Sequence, residues 1–176
     1  ASTTYYGQMA HARIGGAELR LPAAPAAHPQ GARLEIVRAM DMLYAIDERD
    51  LVASATVDLA DRAIDPAALA AVAALAERKG DARTLALLGR TAVGRGLPFE
   101  YYAYPIAGLP RVKPIGAHDV EPHVAYAIAR QESAFNPAVV SPAQAYGLMQ
   151  VTPDAGRYVC KRAGVSFDLN RMKTDS

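Results

Sequence analysis

The sequence contains no tryptophan, only three phenylalanines and a single cysteine, Cys160, among its 176 residues. One cysteine excludes an internal disulfide and any zinc cluster built on thiolates. No compact Cys/His pattern surrounds Cys160, which reads as a half-buried structural thiol. With aromatics scarce and hydrophobic residues at 51%, many of them alanine, the composition favours closely packed helices over a β-sandwich. An excess of one charge is missing too, since 19 basic and 18 acidic residues leave a net charge of +1. The arginines Arg33, Arg38, Arg49, Arg62, Arg78, Arg83, Arg90 and Arg95 are scattered along the chain. That pattern describes solvated helix faces and argues against a nucleic-acid partner, which calls for a basic stripe.

Long apolar runs are absent. Nothing approaches the roughly 20 residues of a membrane-crossing helix, so no integral membrane segment is expected. The first residues include Tyr5, Tyr6, Gln8, His11 and Arg13 and lack the apolar core of a signal peptide. The chain is therefore expected to have lost its signal or to be an internal piece, and the abrupt end at Lys173-Thr174-Asp175-Ser176 reads as a cut. His11, His28, His118 and His123 are dispersed, with no pair at helical i,i+4 spacing, so neither a metal nor a cofactor is expected.

What is present is helical periodicity. A short helix is predicted over 3–20, stopped by Gly15-Gly16, and PAAPAAHPQG at 22–31 is a linker. Leu34, Val37, Met40 and Tyr44 make one stripe over 33–46, and Leu51, Val52, Ala55 and Leu59 make a second over 48–63. Asp65 before Pro66 starts a third helix, with Leu69, Val72, Ala73 and Ala76 inward and Gly80 at its end. Asp81 caps a fourth, with Leu85, Leu88, Ala92 and Val93 as its face. Four short helices with tight turns over 33–96 describe stacked antiparallel pairs, a piece of α-solenoid. Residues 97–118, rich in Pro, Gly and Tyr, form a crossing segment and candidate boundary. Tyr101, Tyr102 and Tyr104 there suit packing between neighbours more than stacking on a sugar.

Pro122 opens a further helix, PHVAYAIARQESAF, in which Ala125, Ile128, Ala129 and Glu132 follow i, i+3, i+4, i+7 spacing. Glu132 thus extends an apolar stripe. A carboxyl group walled by apolar atoms has its charged form disfavoured, so its pKa is expected to rise from about 4.3 toward roughly 6, where it can hold and deliver a proton. On position alone the commoner outcome is a glutamate that reaches solvent or pairs with an arginine. Beyond the helix, Asn136-Pro137 and Ser141-Pro142 are turn signals, and Gly147 introduces an apolar run interrupted by Gln150. A loop returning over the helix end, with Ser141 and Gln150 as donors, makes one wall of a polar cleft.

The run ARQESAFNPAVVSPAQAYGLMQVTP resembles the signature of the soluble lytic transglycosylases: E-S-x-x-N-P, a Ser-Pro step, then G-L-M-Q and a proline. The resemblance covers about residues 119–160, and residues 1–104 are similar to the end of the α-superhelical region that precedes the catalytic domain in that family. It implies an all-α chain: a helical-solenoid segment over 1–104, followed over 105–176 by the first part of a lysozyme-like α domain. It further implies cleavage of the β-1,4 bond from N-acetylmuramic acid to N-acetylglucosamine in peptidoglycan glycan strands, leaving 1,6-anhydro ends, in the periplasm. Glu132 takes the catalytic acid/base position. Ser141, Gln150, Met149 and Tyr146 fall along the substrate groove, with Gly147 and Leu148 in the packing part of the signature. Gln144 and Tyr146 stand where the family more often has small residues. The family's later groove wall contains a Tyr-Asn segment with no counterpart in 151–176, so this chain alone is expected to be weak or inactive.

The usual pair of glycosidase carboxylates has no obvious second member. Glu121 lies 11 residues before Glu132, about 16 Å along a continuous helix. Asp119 is also near in sequence, and Asp154 is expected to cap the next helix. A hydrolytic muramidase using the same glutamate and a non-catalytic helical scaffold are the alternatives. Oligomeric state is open.

Overall fold

The computed structural model describes residues 3–16, 20–62, 65–110 and 120–174. His118, Asp119 and the end of the crossing segment lie outside the described residues. Among the described residues the regular structure is helical, apart from two isolated antiparallel bridges. The expected all-α class is what the chain adopts.

Helix α1 (Tyr5–Arg13) is capped by Thr4, whose side chain accepts from the Gly7 amide, and is shorter than predicted. A 3-10 turn (Gly31–Arg33) then leads into four packed helices: α2 (Glu35–Ala45), α3 (Arg49–Arg62), α4 (Pro66–Arg78) and α5 (Ala82–Gly94). Asp65 and Asp81 cap α4 and α5 as predicted, accepting from the Ala67 and Thr84 amides. The core takes Val37, Met40 and Tyr44 from α2, Leu69, Val72 and Leu75 from α4, and Leu85, Leu88 and Ala92 from α5.

The predicted face of α3 is rotated. Leu51 is 53% exposed and Ala55 faces out, while Val52, Ala53, Thr56 and Ala60 are buried. The physical reason is proximity, because α3 lies against α5 and small side chains permit the closer approach. Periodicity alone could not choose between two overlapping stripes.

One buried polar group organises this region. The Asp81 carboxylate caps α5 and also accepts from the Tyr44 hydroxyl at 2.9 Å and the Thr84 hydroxyl at 2.8 Å. Burial first, and then the adjacent Asp81 carboxylate, holds the Tyr44 phenol well above its ordinary value.

The crossing segment contains a short helix, α6 (Glu100–Ala103), which packs closely on α5. Gly89 makes this possible, since a Cβ there would collide with the backbone of Tyr102 and Ala103. Phe99 and Tyr102 are buried with the first core, and Tyr101 donates to Glu77 at 2.9 Å. The tyrosines therefore pack and bond within the helical array.

Further along the chain come α7 (Pro122–Glu132), α8 (Pro153–Ala163) and α9 (Leu169–Thr174). A second, smaller core joins Ala129, Phe135 and Leu148 to Ala82 and Ala86 of α5, with Tyr126 and Leu109 against it. Thr152, not Asp154, caps α8: its side chain accepts from the Ala155 amide. Asp154 is the second residue of the helix, paired with Arg157 at 2.6 Å. A hydroxyl at the residue before Pro153 satisfies an amide there, which the carboxylate beyond the proline does not.

Candidate active site

Glu132 is the last residue of α7, and the turn that follows it is unusual. Ala134 and Phe135 take φ of 49° and 62°, left-handed values at two successive non-glycine residues. Each such residue costs on the order of 1–3 kcal/mol and persists only where the surroundings over-determine it. The surroundings here do so. Phe135 is buried against Tyr126, with ring centres 6.3 Å apart, and its amide donates to the Ala129 carbonyl. Asn136 then closes an Asx turn, its Oδ1 accepting from the Ala138 amide at 3.0 Å.

The loop over 139–151 folds back on the end of α7. Tyr146 is bridged to both Val140 and Val151. The Ser141 hydroxyl accepts from the Ala145 amide at 3.0 Å. Gln150, at φ 47°, uses its side-chain amide to donate to the carbonyls of Val139 at 3.2 Å and Gly147 at 3.0 Å. Gly147 has φ 70°, a conformation natural to glycine, and its amide donates to the Val139 carbonyl at 3.0 Å. Leu148 points into the small core, whereas Met149 is exposed. The Lys173 ammonium of α9 sits 5.5 Å from the Tyr146 ring centre.

Ser133 joins this loop to α7. Its hydroxyl lies 2.9 Å from the Leu148 carbonyl oxygen and 3.1 Å from that of Ala129. The structure thus brings the end of the Glu132 helix together with the G-L-M-Q segment. Ser141 and Gln150 are engaged in holding the loop's shape. Ser133 was not singled out from the sequence, although its place directly after a helix-ending glutamate in the E-S motif was the available signal.

The expected shielding of Glu132 is not realised. Glu132 is exposed, as is Ile128 at 43%, and of the stripe only Ala129 is buried. Helical spacing aligned these positions, but Ala129 alone reaches the second core, which is too small to wall in its neighbours. The Glu132 carboxylate has no hydrogen-bond or ion-pair partner among the described residues. Among the described residues, two other acids close to it in sequence are occupied. Glu121, at the far end of α7, pairs with His123 at 2.9 Å, and Asp154 pairs with Arg157.

A cleft of about 640 Å³ lies elsewhere, where the turns at 47–50 and 80–83 face Pro110 and the Phe135–Ala138 turn. It does not include Glu132, and two of its carboxylates are paired within the wall, Asp47 with Arg49 and Asp50 with Arg83. Among the described residues no group of His, Cys, Asp and Glu is placed to hold a metal.

Among the described residues a mainly α array thus presents a helix that ends in an unpaired glutamate, with a strained E-S-A-F-N-P turn and a G-L-M-Q loop folded against it. Residues 113–173 match the Transglycosylase SLT domain. Two solved structures share the fold. One is the 70-kDa soluble lytic transglycosylase of Escherichia coli (TM-score 0.66), and the other is a 70-kDa soluble lytic transglycosylase in complex with bulgecin A (TM-score 0.65). Each is 21% identical over 97% of this chain, which spans 28% of the length of the matched chain. At that identity the likeness is one of fold. No curated protein sequence matches the chain.

Proposed function

We propose that this chain carries the acid/base glutamate and one groove wall of a peptidoglycan lytic transglycosylase. The observation that carries the reading is the placement of Glu132 within the Transglycosylase SLT domain match, at the end of α7, with its carboxylate unpaired among the described residues. Glu132 donates its proton to the glycosidic oxygen as the bond to C1 of the muramoyl sugar breaks. Positive charge develops at C1 and the ring oxygen. The same carboxylate then takes the proton of the C6 hydroxyl, O6 closes on C1, and a 1,6-anhydro end forms with no water consumed. One group serves both steps, in keeping with the engagement of Glu121 and Asp154 elsewhere.

In this reading residues 1–104 form the helical segment and 105–176 the start of the catalytic domain, which packs Ala129, Phe135 and Leu148 onto Ala82 and Ala86 of α5. Ser141, Gln150, Met149 and Tyr146 line the groove. Ser141 accepts from a backbone amide and so keeps its hydroxyl proton to donate. Met149 offers an exposed apolar surface to a sugar face. A peptidoglycan substrate places the protein in the periplasm. Among the described residues no helix is long and apolar enough to cross a membrane.

The test is digestion of purified sacculi by the full-length protein, with products weighed by mass spectrometry. The expected products are anhydro-muropeptides, lighter than reducing-end muropeptides by one water. Reducing ends in their place assign a hydrolytic muramidase. The exposure of Glu132 favours a second reading, a non-catalytic helical scaffold, which predicts sacculus binding with no released products.

A further inference from the structure

Besides the packing of Ala129, the last turn of α7 is fastened to the helical array by the side chain of Arg130. The Arg130 Nε donates to the Ala103 carbonyl at 2.7 Å, and its guanidinium carbon lies 4.4 Å from the centre of the Tyr104 ring. Both partners are neutral, and among the described residues Arg130 has no carboxylate partner. Its half-buried charge is balanced by one carbonyl dipole and one aromatic face, an arrangement that depends on the planar fork of arginine.

The anchor itself is rigid. Ala103 and Tyr102 are buried, and α6 is pressed onto α5 at Gly89, where no Cβ fits. A displacement of the Ala103 carbonyl therefore requires movement of α5. On α7, Arg130 precedes Glu132 by two residues, about 200° around the helix, so the two side chains leave on opposite sides. Arg130 thus holds the back of the turn whose front carries Glu132. With Ala129 packed in the small core and Ser133 tied to Leu148, this third attachment sets the rotation of the last turn.

We propose that Arg130 is a positioning residue that orients the Glu132 carboxylate by clamping α7 to Ala103 and Tyr104. The inference rests on the reading of Glu132 as the catalytic acid. Its test measures kcat and KM on purified glycan strands for the full-length protein and its Arg130→Ala, Arg130→Lys, Tyr104→Leu and Glu132→Gln variants. Arg130→Ala is expected to lower kcat about tenfold with KM within about twofold, because a misplaced acid weakens the chemical step and not ground-state binding. Arg130→Lys restores part of the loss. Tyr104→Leu lowers kcat in the same direction, and the double variant with Arg130→Ala is no worse than Arg130→Ala alone, since both remove one clamp.

A folded Arg130→Ala protein with kcat within about twofold of the parent overturns the proposal, as does a loss confined to KM. Should Arg130→Ala fail to fold, Tyr104→Leu decides, and an unchanged kcat there rejects the clamp. Glu132→Gln separates the two levels. If it abolishes cleavage while Arg130→Ala does not slow it, the clamp alone is wrong. If Glu132→Gln still cleaves, the catalytic reading fails and the clamp with it.

Discussion

The hydroxyl of Ser133 lies 2.9 Å from the carbonyl oxygen of Leu148, fifteen positions further along the chain, and so ties the end of α7 to the G-L-M-Q loop. Replacing Ser133 by Ala removes the donor and leaves a part-buried carbonyl short of a partner. A stability loss of about 1 kcal/mol is expected in urea titration. Glycan cleavage should fall about tenfold, because the loop no longer holds the helix end in register.

Tyr44 and Asp81 make stability sensitive to alkali. The folded protein holds the Tyr44 phenol above its ordinary value of 10.0, through burial and the Asp81 carboxylate. Below that ordinary value both states keep the proton, and the contribution is constant. As pH rises past about 10, the unfolded chain loses the proton while the folded chain retains it, so stability falls. Tyr44→Phe should remove this part of the alkaline loss while costing about 1–2 kcal/mol at neutral pH. Denaturant titrations at about pH 8 and about pH 11 measure both effects.

Ala134, at φ 49°, pays for its conformation with backbone strain. Ala134→Gly is expected to stabilise the protein by up to about 1 kcal/mol, since glycine adopts this region freely. A β-branched residue does the opposite, and Ala134→Val should cost about 1–3 kcal/mol. Thermal melts of the two variants give the sign directly.

The helices were legible where apolar spacing and caps agreed. For α2 and α4 the predicted inward residues Val37, Met40, Tyr44, Leu69 and Val72 are the buried ones. Asp65 and Asp81 act as caps because a short acceptor before a helical run satisfies a free amide in any context. The face of α3 was not legible, because it depends on how closely α5 approaches. In the site, the motif residues Asn136 and Gly147 form the turns that their types announce. The left-handed backbone at Ala134 and Phe135 carries no such sign, since neither is a glycine or asparagine. The exposure of Glu132 was missed for a related reason. Spacing on one helix says which residues share a side, while the wall facing that side comes from elsewhere in the chain.

Gly89 should tolerate no side chain. Gly89→Ala sets a methyl group into the backbone of Tyr102 and Ala103 and separates α5 from α6. The expected cost is about 1–3 kcal/mol in urea titration. Because Ala103 also accepts from Arg130, cleavage should slow in the surviving folded protein as well.

The most direct measurement is the rate of anhydro-muropeptide release from sacculi by the full-length protein and its Glu132→Gln variant. An amide neither donates an acidic proton nor takes one back, so release should fall by at least about a hundredfold while binding to sacculi persists. Release at the parent rate by the folded Glu132→Gln protein would contradict the assignment of the chemistry to this residue.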